Sequence, residues 1–127
     1  MEALTYLDTH LVVWLYMARR DLISEAASKA IDEGDLAVSP IVILELEFLK
    51  EIGRVLIDPM EILGELNRTI GLRVCPLEFS RVVDRARKLS WTRDPFDRLI
   101  VGHAIAAGRP LITKDAPILA NYSRAVW

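Results

Sequence analysis

Short apolar runs of strand length alternate with longer stretches of helical periodicity along the whole chain, and this alternation constrains the fold most strongly. Residues 4–7, 36–38, 72–75 and 111–113 read as strands, with 125–127 as a further edge strand. Between them helices are predicted over about 10–19, 22–33, 39–52, 58–70, 78–89, 94–107 and 116–120. The punctuation agrees. Pro40, Pro59 and Pro95 stand at helix starts, and Gly34, Gly53, Gly71 and Gly108 stand just past helix ends. Thr9 and Ser39 are expected to cap the helices that follow them. Strands alternating with helices build parallel βαβ units joined by right-handed crossovers. The expected class is therefore α/β, three layers of α/β/α around a central, mostly parallel sheet. No repeat, low-complexity tract or Gly/Ser linker interrupts the 127 residues, so one domain spanning 1–127 is expected.

The acidic residues fall where that architecture keeps its ligands. Asp8 closes the first strand run and Asp115 follows the run at 111–113, while Glu45 and Asp97 lie early in helical patterns. The carboxyl ends of the strands in an open α/β sheet face one crevice. Carboxylates converging there repel one another and lose hydration, and a hard divalent cation such as Mg²⁺ relieves both. Taken singly, several of these acids have plainer roles. Asp94 before Pro95 has the form of an N-cap, with Asp97 favoured by the helix dipole, and Asp115 before Ala116-Pro117 has the same form. Glu45 is flanked by Leu44 and Leu46, whereas Glu47 and Glu51 suit the solvent face. Asp8, between an apolar strand and a buried helix, is the hardest to explain structurally.

Composition limits the partners. A net charge of −2 is a poor footprint for binding nucleic acid over the whole surface. The basic stretch Arg81, Arg85, Arg87, Lys88, Arg93 and Arg98, set against Asp84, Asp94 and Asp97, reads first as a solvated helix face and second as an RNA-backbone or protein contact. Hydrophobic residues make up 52% and mean hydropathy is +0.25, so part of the surface is expected to meet a partner. The longest apolar run, 11–18, falls short of the roughly 20 residues of a membrane span. With no signal-peptide pattern at the N-terminus, a cytoplasmic location is expected. Cys75 is the single cysteine, expected to be a core thiol. His103 is expected to be a hydrogen-bonded core histidine, and His10 to support the site or pack.

Four segments together resemble the PIN domain, in the branch of VapC-type toxins of toxin–antitoxin pairs. They are Tyr6-Leu7-Asp8-Thr9-His10, Ser39-Pro40 followed by Glu45, Arg93-Asp94-Pro95-Phe96-Asp97-Arg98-Leu99-Ile100, and Leu111-Ile112-Thr113-Lys114-Asp115. The resemblance covers essentially the whole chain in order and spacing, and Asp-Pro-Phe-Asp-Arg is its most specific element. It implies a Mg²⁺- or Mn²⁺-dependent endoribonuclease that acts on RNA, is held inactive by a cognate antitoxin, and forms a homodimer. Carried over by position, it implies Asp8, Glu45, Asp97 and Asp115 as catalytic metal ligands. Asp97 matches better than Asp94, because Leu99, Ile100 and Ala104 continue its helix pattern. Asp94 joins through water or only caps. Thr9, Ser39, Thr113, Lys114 and Arg98 are the expected supporting or substrate-facing residues.

Other classes fit less well. A non-catalytic RNA- or protein-binding module has no reason to tolerate a complete set of mutually repelling acids. A phospho-acceptor receiver resembles a pattern with paired acids after its first strand, where this chain has Asp8 alone. A haloacid-dehalogenase-type phosphatase needs an aspartate where His10 stands. Nothing in the chain reads as a Ser-His-Asp or Cys-His arrangement.

Overall fold

The computed structural model describes residues 4–127. Their order is β1 (Leu4–Leu7), α1 (Thr9–Tyr16), α2 (Glu25–Glu33), β2 (Asp35–Val38), α3 (Ile41–Glu51), α4 (Pro59–Ile70), β3 (Arg73–Val74), α5 (Phe79–Ala86), α6 (Pro95–Ala107), β4 (Leu111–Ile112), α7 (Ala116–Asn121) and β5 (Ala125–Val126). The strands form one sheet in the order β3-β2-β1-β4-β5, and every pairing is parallel. With the helices flanking the sheet, the class is three-layer α/β/α, as the alternation of elements predicts.

Strands covered on both faces must be apolar along their length. Leu7, Val38, Leu111 and Ile112 are accordingly fully buried, and Leu11, Val42, Leu46, Ile62, Val101 and Ile118 from the helices close over them. Beside this core His103 is buried with its Nε2 3.3 Å from the Tyr6 hydroxyl, as a core histidine should be. Burial depresses its pKa.

Helix α6 lies unusually close to α5. A Cβ placed on Gly102 would stand 2.9 Å from the backbone nitrogen of Ala86, so only glycine permits this contact. The close approach also fixes α6, whose first turn carries Asp94 and Asp97.

Several element boundaries differ from the sequence reading, each for a local reason. Asp8, not Thr9, caps α1, because Thr9 is already helical and the Asp8 carboxylate accepts its N–H. The helix stops at Tyr16, with Ala18 in the left-handed region at φ 55°. Residues 20–22 form a separate 3₁₀ turn, and α2 starts only after Ser24, whose hydroxyl accepts from Ala27 N. Pro40 occupies the cap position of α3, with Ser39 Oγ accepting from Ile41 N at 3.3 Å. Cys75 is half-buried beside the core rather than within it. Among the described residues no helix is long and apolar enough to cross a membrane.

Candidate active site

The strand order reverses at β1: β2 and β3 extend the sheet on one side, β4 and β5 on the other. A crevice opens at such a switch point, beyond the carboxyl ends of the two diverging strands. Asp8 follows β1 there, and Thr113 to Asp115 follow β4. A cleft of about 480 Å³ lies at this point, and Asp8, Glu45, Asp94, Asp97 and Asp115 all line it.

Asp8 is almost entirely buried and is the most firmly held of the five. One oxygen accepts from Thr9 N at 2.8 Å. The other accepts from the hydroxyl of fully buried Thr113 at 2.7 Å. The Thr113 oxygen in turn accepts from Asp115 N at 3.0 Å, so one side chain ties the β1 acid to the loop bearing the β4 acid. Asp115 also caps α7, accepting from Ile118 N at 3.3 Å. The Thr9 hydroxyl points across to α3 and donates a short hydrogen bond to Glu45 Oε1. Burial raises the Glu45 pKa, the Thr9 bond opposes the rise, and Asp8 and Asp94 add to it.

The first turn of α6 contributes two acids with different work. Asp94 is exposed and its Oδ1 accepts from the N–H groups of Phe96 and Asp97, which is what an N-cap does. Asp97 is half-buried in the cleft. Its pKa is raised to about 7, first by burial and then by Asp94, Asp8, Asp115 and Glu45. Those four neighbours are the other acids of the cleft, so the cluster behaves as one electrostatic unit. Among the described residues no Lys or Arg forms an ion pair with any of the five.

His10 faces both walls. Its Nε2 accepts from Lys114 N at 3.0 Å, and its Nδ1 lies 3.6 Å from Asp8 Oδ2. Burial lowers the ring's pKa against the opposing pull of Asp8 and Asp115. With Nε2 accepting from Lys114 N, Nδ1 is the ring nitrogen turned toward Asp8. Lys114 is exposed in an adjoining hollow with His10, Trp14 and Asp115.

Two of the expected supporting residues lie elsewhere. Ser39 sits at the start of α3 in a separate apolar hollow with Leu44, Phe79 and His103. Arg98 points its Nη2 toward the carbonyl of Arg87 at the end of α5, away from the cleft. The rotation per residue along α6 puts Arg98 on a different face from Asp97. Conversely, the cleft holds Trp14 and Arg54, which the sequence reading passed over. Trp14 was findable, since it lies four residues after His10 and so on the same helix face. Arg54 follows the turn glycine Gly53, and nothing in the sequence signals which way that loop folds.

The donors fit a hard divalent cation, because all are carboxylate oxygens and none of them is ion-paired to a Lys or Arg among the described residues. They do not form a finished cage. Among the described residues no three His, Cys, Asp or Glu side chains stand together at metal-holding geometry.

The chain matches the PIN domain family over residues 5–123. It is also 37% identical over 115 residues to Ribonuclease VapC22 of Mycobacterium tuberculosis, a match covering 86% of this chain and 85% of that one. This chain belongs to the PIN domain family. The PIN fold is seen again in VapBC2 from Rickettsia felis, solved bound to a DNA fragment from its promoter. That structure superposes with a TM-score of 0.71 at 17% identity, covering 98% of this chain and 97% of the other. A toxin–antitoxin complex from Klebsiella pneumoniae gives a TM-score of 0.69 at 18% identity, covering 97% and 96%. At such identities the likeness is one of fold.

Proposed function

We propose that this PIN domain protein is a toxin endoribonuclease that hydrolyses RNA phosphodiester bonds using Mg²⁺ or Mn²⁺ and is neutralised by a cognate antitoxin. The observation that carries this reading is the cleft of five acids at the sheet's switch point with no Lys or Arg ion-paired to them among the described residues. Its relative of 37% identity is named a ribonuclease, which supports the same chemistry.

In this reading Asp8, Glu45, Asp97 and Asp115 hold the cation, and Asp94 holds the first turn of α6. A divalent cation bound there supplies positive charge for phosphoryl oxygens and makes a water molecule more acidic. The chain's own residues supply the rest. Thr113 and Thr9 fix the Asp8 carboxylate in one orientation, and Thr9 also orients Glu45. His10 turns its Nδ1 toward Asp8 and pins the 114–115 loop by accepting from Lys114 N. Asp97 has the charge most in need of neutralising.

The partner side rests on exposed apolar side chains. Met17, Leu56 and Met60 are 61%, 83% and 59% exposed, and an apolar hollow between α1 and α4 shares Val13, Arg54 and Val55 with the acidic cleft. An antitoxin segment seated there would reach the acids. Leu44 and Phe79, also exposed, are the natural face for a homodimer. Expression of the chain alone should arrest growth, and Asp8→Asn should abolish the arrest. Arrest that persists in that variant contradicts the proposal.

A further inference from the structure

We propose that Trp127, Trp14 and His10 form an aromatic buttress that positions Asp115 relative to Asp8, so that the β5 end of the sheet helps set the affinity of the cleft for its cation. This rests on the metal-dependent reading of the cleft and assigns three positioning residues to it.

Asp115 belongs to the short segment 113–115 between β4 and α7. A loop that carries a ligand stands still only if its backbone groups are held. Here three successive amides are taken. Thr113 N donates to Val126 O at 3.0 Å, Lys114 N to His10 Nε2 at 3.0 Å, and Asp115 N to Thr113 Oγ1 at 3.0 Å. The first is held from β5, and the middle one reaches across to α1. An imidazole that accepts such a bond must itself be fixed, or the loop moves with the ring.

Two indoles fix it. Trp14 stands four residues after His10 on α1, on the same helix face, and meets its ring edge-on at 5.0 Å. Trp127 directly follows β5 and tilts against Trp14 at 6.2 Å. Tilted aromatic pairs at such separations attract beyond the area they bury. Lys114 Nζ, 5.7 Å from the centroid of Trp14, adds a weaker hold between the same helix face and the same loop residue. The path is closed. β5 holds Thr113 through Val126, and it holds Lys114 through Trp127, Trp14 and His10. Trp127 does not line the acidic cleft, so its influence there runs along this path.

Mn²⁺ affinity, measured by calorimetry on the metal-free full chain without RNA, tests the buttress. His10→Leu removes the acceptor and should weaken Mn²⁺ binding by about 10- to 100-fold, the scale for groups that orient metal ligands. His10→Gln, which can present an oxygen to Lys114 N, should recover most of that loss. Trp127→Leu should weaken binding in the same direction, and Trp127→Phe, which keeps a ring, should restore it. Residues acting through one another are not additive, so adding Trp127→Leu to His10→Leu should cost no more than about a further twofold. In the ¹⁵N-labelled parent, nitrogen–nitrogen coupling should appear across the Lys114–His10 hydrogen bond. This readout needs no variant and decides the matter if His10→Leu does not fold. Absence of that coupling overturns the buttress. So does unchanged affinity in His10→Leu, a glutamine variant as weak as the leucine, or losses that multiply in the double variant. RNA cleavage by the parent is assayed separately. A parent that binds Mn²⁺ and cleaves while His10→Leu binds normally overturns the buttress alone. A parent that binds Mn²⁺ without cleaving, with affinity lost in His10→Leu, overturns hydrolysis and keeps the buttress. A parent that does not bind Mn²⁺ overturns both.

Discussion

Asp94 Oδ1 accepts hydrogen bonds from the backbone N–H groups of Phe96 and Asp97, at 2.8 and 3.2 Å. The two acids of this turn therefore have separate roles, one closing the helix end and the other facing the cleft. Asp97→Asn is predicted to lower cleavage by about 100-fold or more, the scale expected when a metal site is disturbed. It should also remove most of the metal-induced rise in melting temperature, since a ligand stabilises only the state that binds it. Asp94→Asn should keep stability within about 1 kcal/mol, because asparagine caps as well as aspartate, and should keep most activity. Melting curves with and without Mg²⁺, alongside cleavage rates, check both. The reverse pattern would make Asp94 the ligand.

A pH dependence follows from the same residue. Asp97 binds its proton more tightly in the folded state, at about 7, than in the unfolded chain, near 3.9. Between those values the folded state holds more protons, so its stability falls as pH rises. The metal-free protein should lose stability from about pH 4 to 7 through this group. Asp97→Asn should flatten that part of the curve, and saturating Mg²⁺ should offset the loss above pH 7. Denaturant midpoints across pH measure it.

Thr113 links Asp8 to Asp115 from a fully buried position. Thr113→Val keeps the shape and deletes both hydrogen bonds, leaving buried polar groups unpaired at a cost of about 1–3 kcal/mol. Activity should fall with stability, and Thr113→Ser should restore both. Normal activity in the valine variant would show that Asp8 needs no such support.

Gly102→Ala tests the positioning of α6. With Ala86 backbone 2.9 Å from the new Cβ, the helices must separate. Overpacking of this kind costs about 1–3 kcal/mol, and displacement of Asp97 should lower metal affinity as well. Thermal melting and metal titration read the two effects separately.

Arg54 is an exposed cation on the cleft wall, unpaired among the described residues. Arg54→Ala should change stability by no more than about 0.5 kcal/mol. It should weaken RNA binding and lower its salt slope by about 1. Binding isotherms at two salt concentrations decide it.

The alternation of strands and helices was legible in the sequence because apolar periodicity and Pro/Gly punctuation are local signals. The placement of Asp8 and Asp115 was legible too, since strand ends in a parallel sheet share one rim. Boundaries were less so. Whether Asp8 or Thr9 caps α1 depends on where Thr9 finds an acceptor, and that acceptor, Glu45, lies 36 residues away. Arg98 looked site-facing by adjacency to Asp97, but helix rotation sets direction more than adjacency does; Ser39 lies in the turn between β2 and α3, outside the helix. Arg54 reaches the cleft through the path of a loop, which no local pattern encodes, whereas Trp14 shares a helix face with His10 at a spacing of four.

Metal-dependent cleavage tests the central claim most directly. The purified chain, freed of any antitoxin, is incubated with RNA in Mg²⁺, in Mn²⁺, in excess EDTA, and in EDTA with the metal restored. The predicted result is cleavage with either metal, none in EDTA, recovery on restoration, and none from Asp8→Asn under any condition. Undiminished cleavage in EDTA would contradict the account, as would RNA binding without cleavage in either metal.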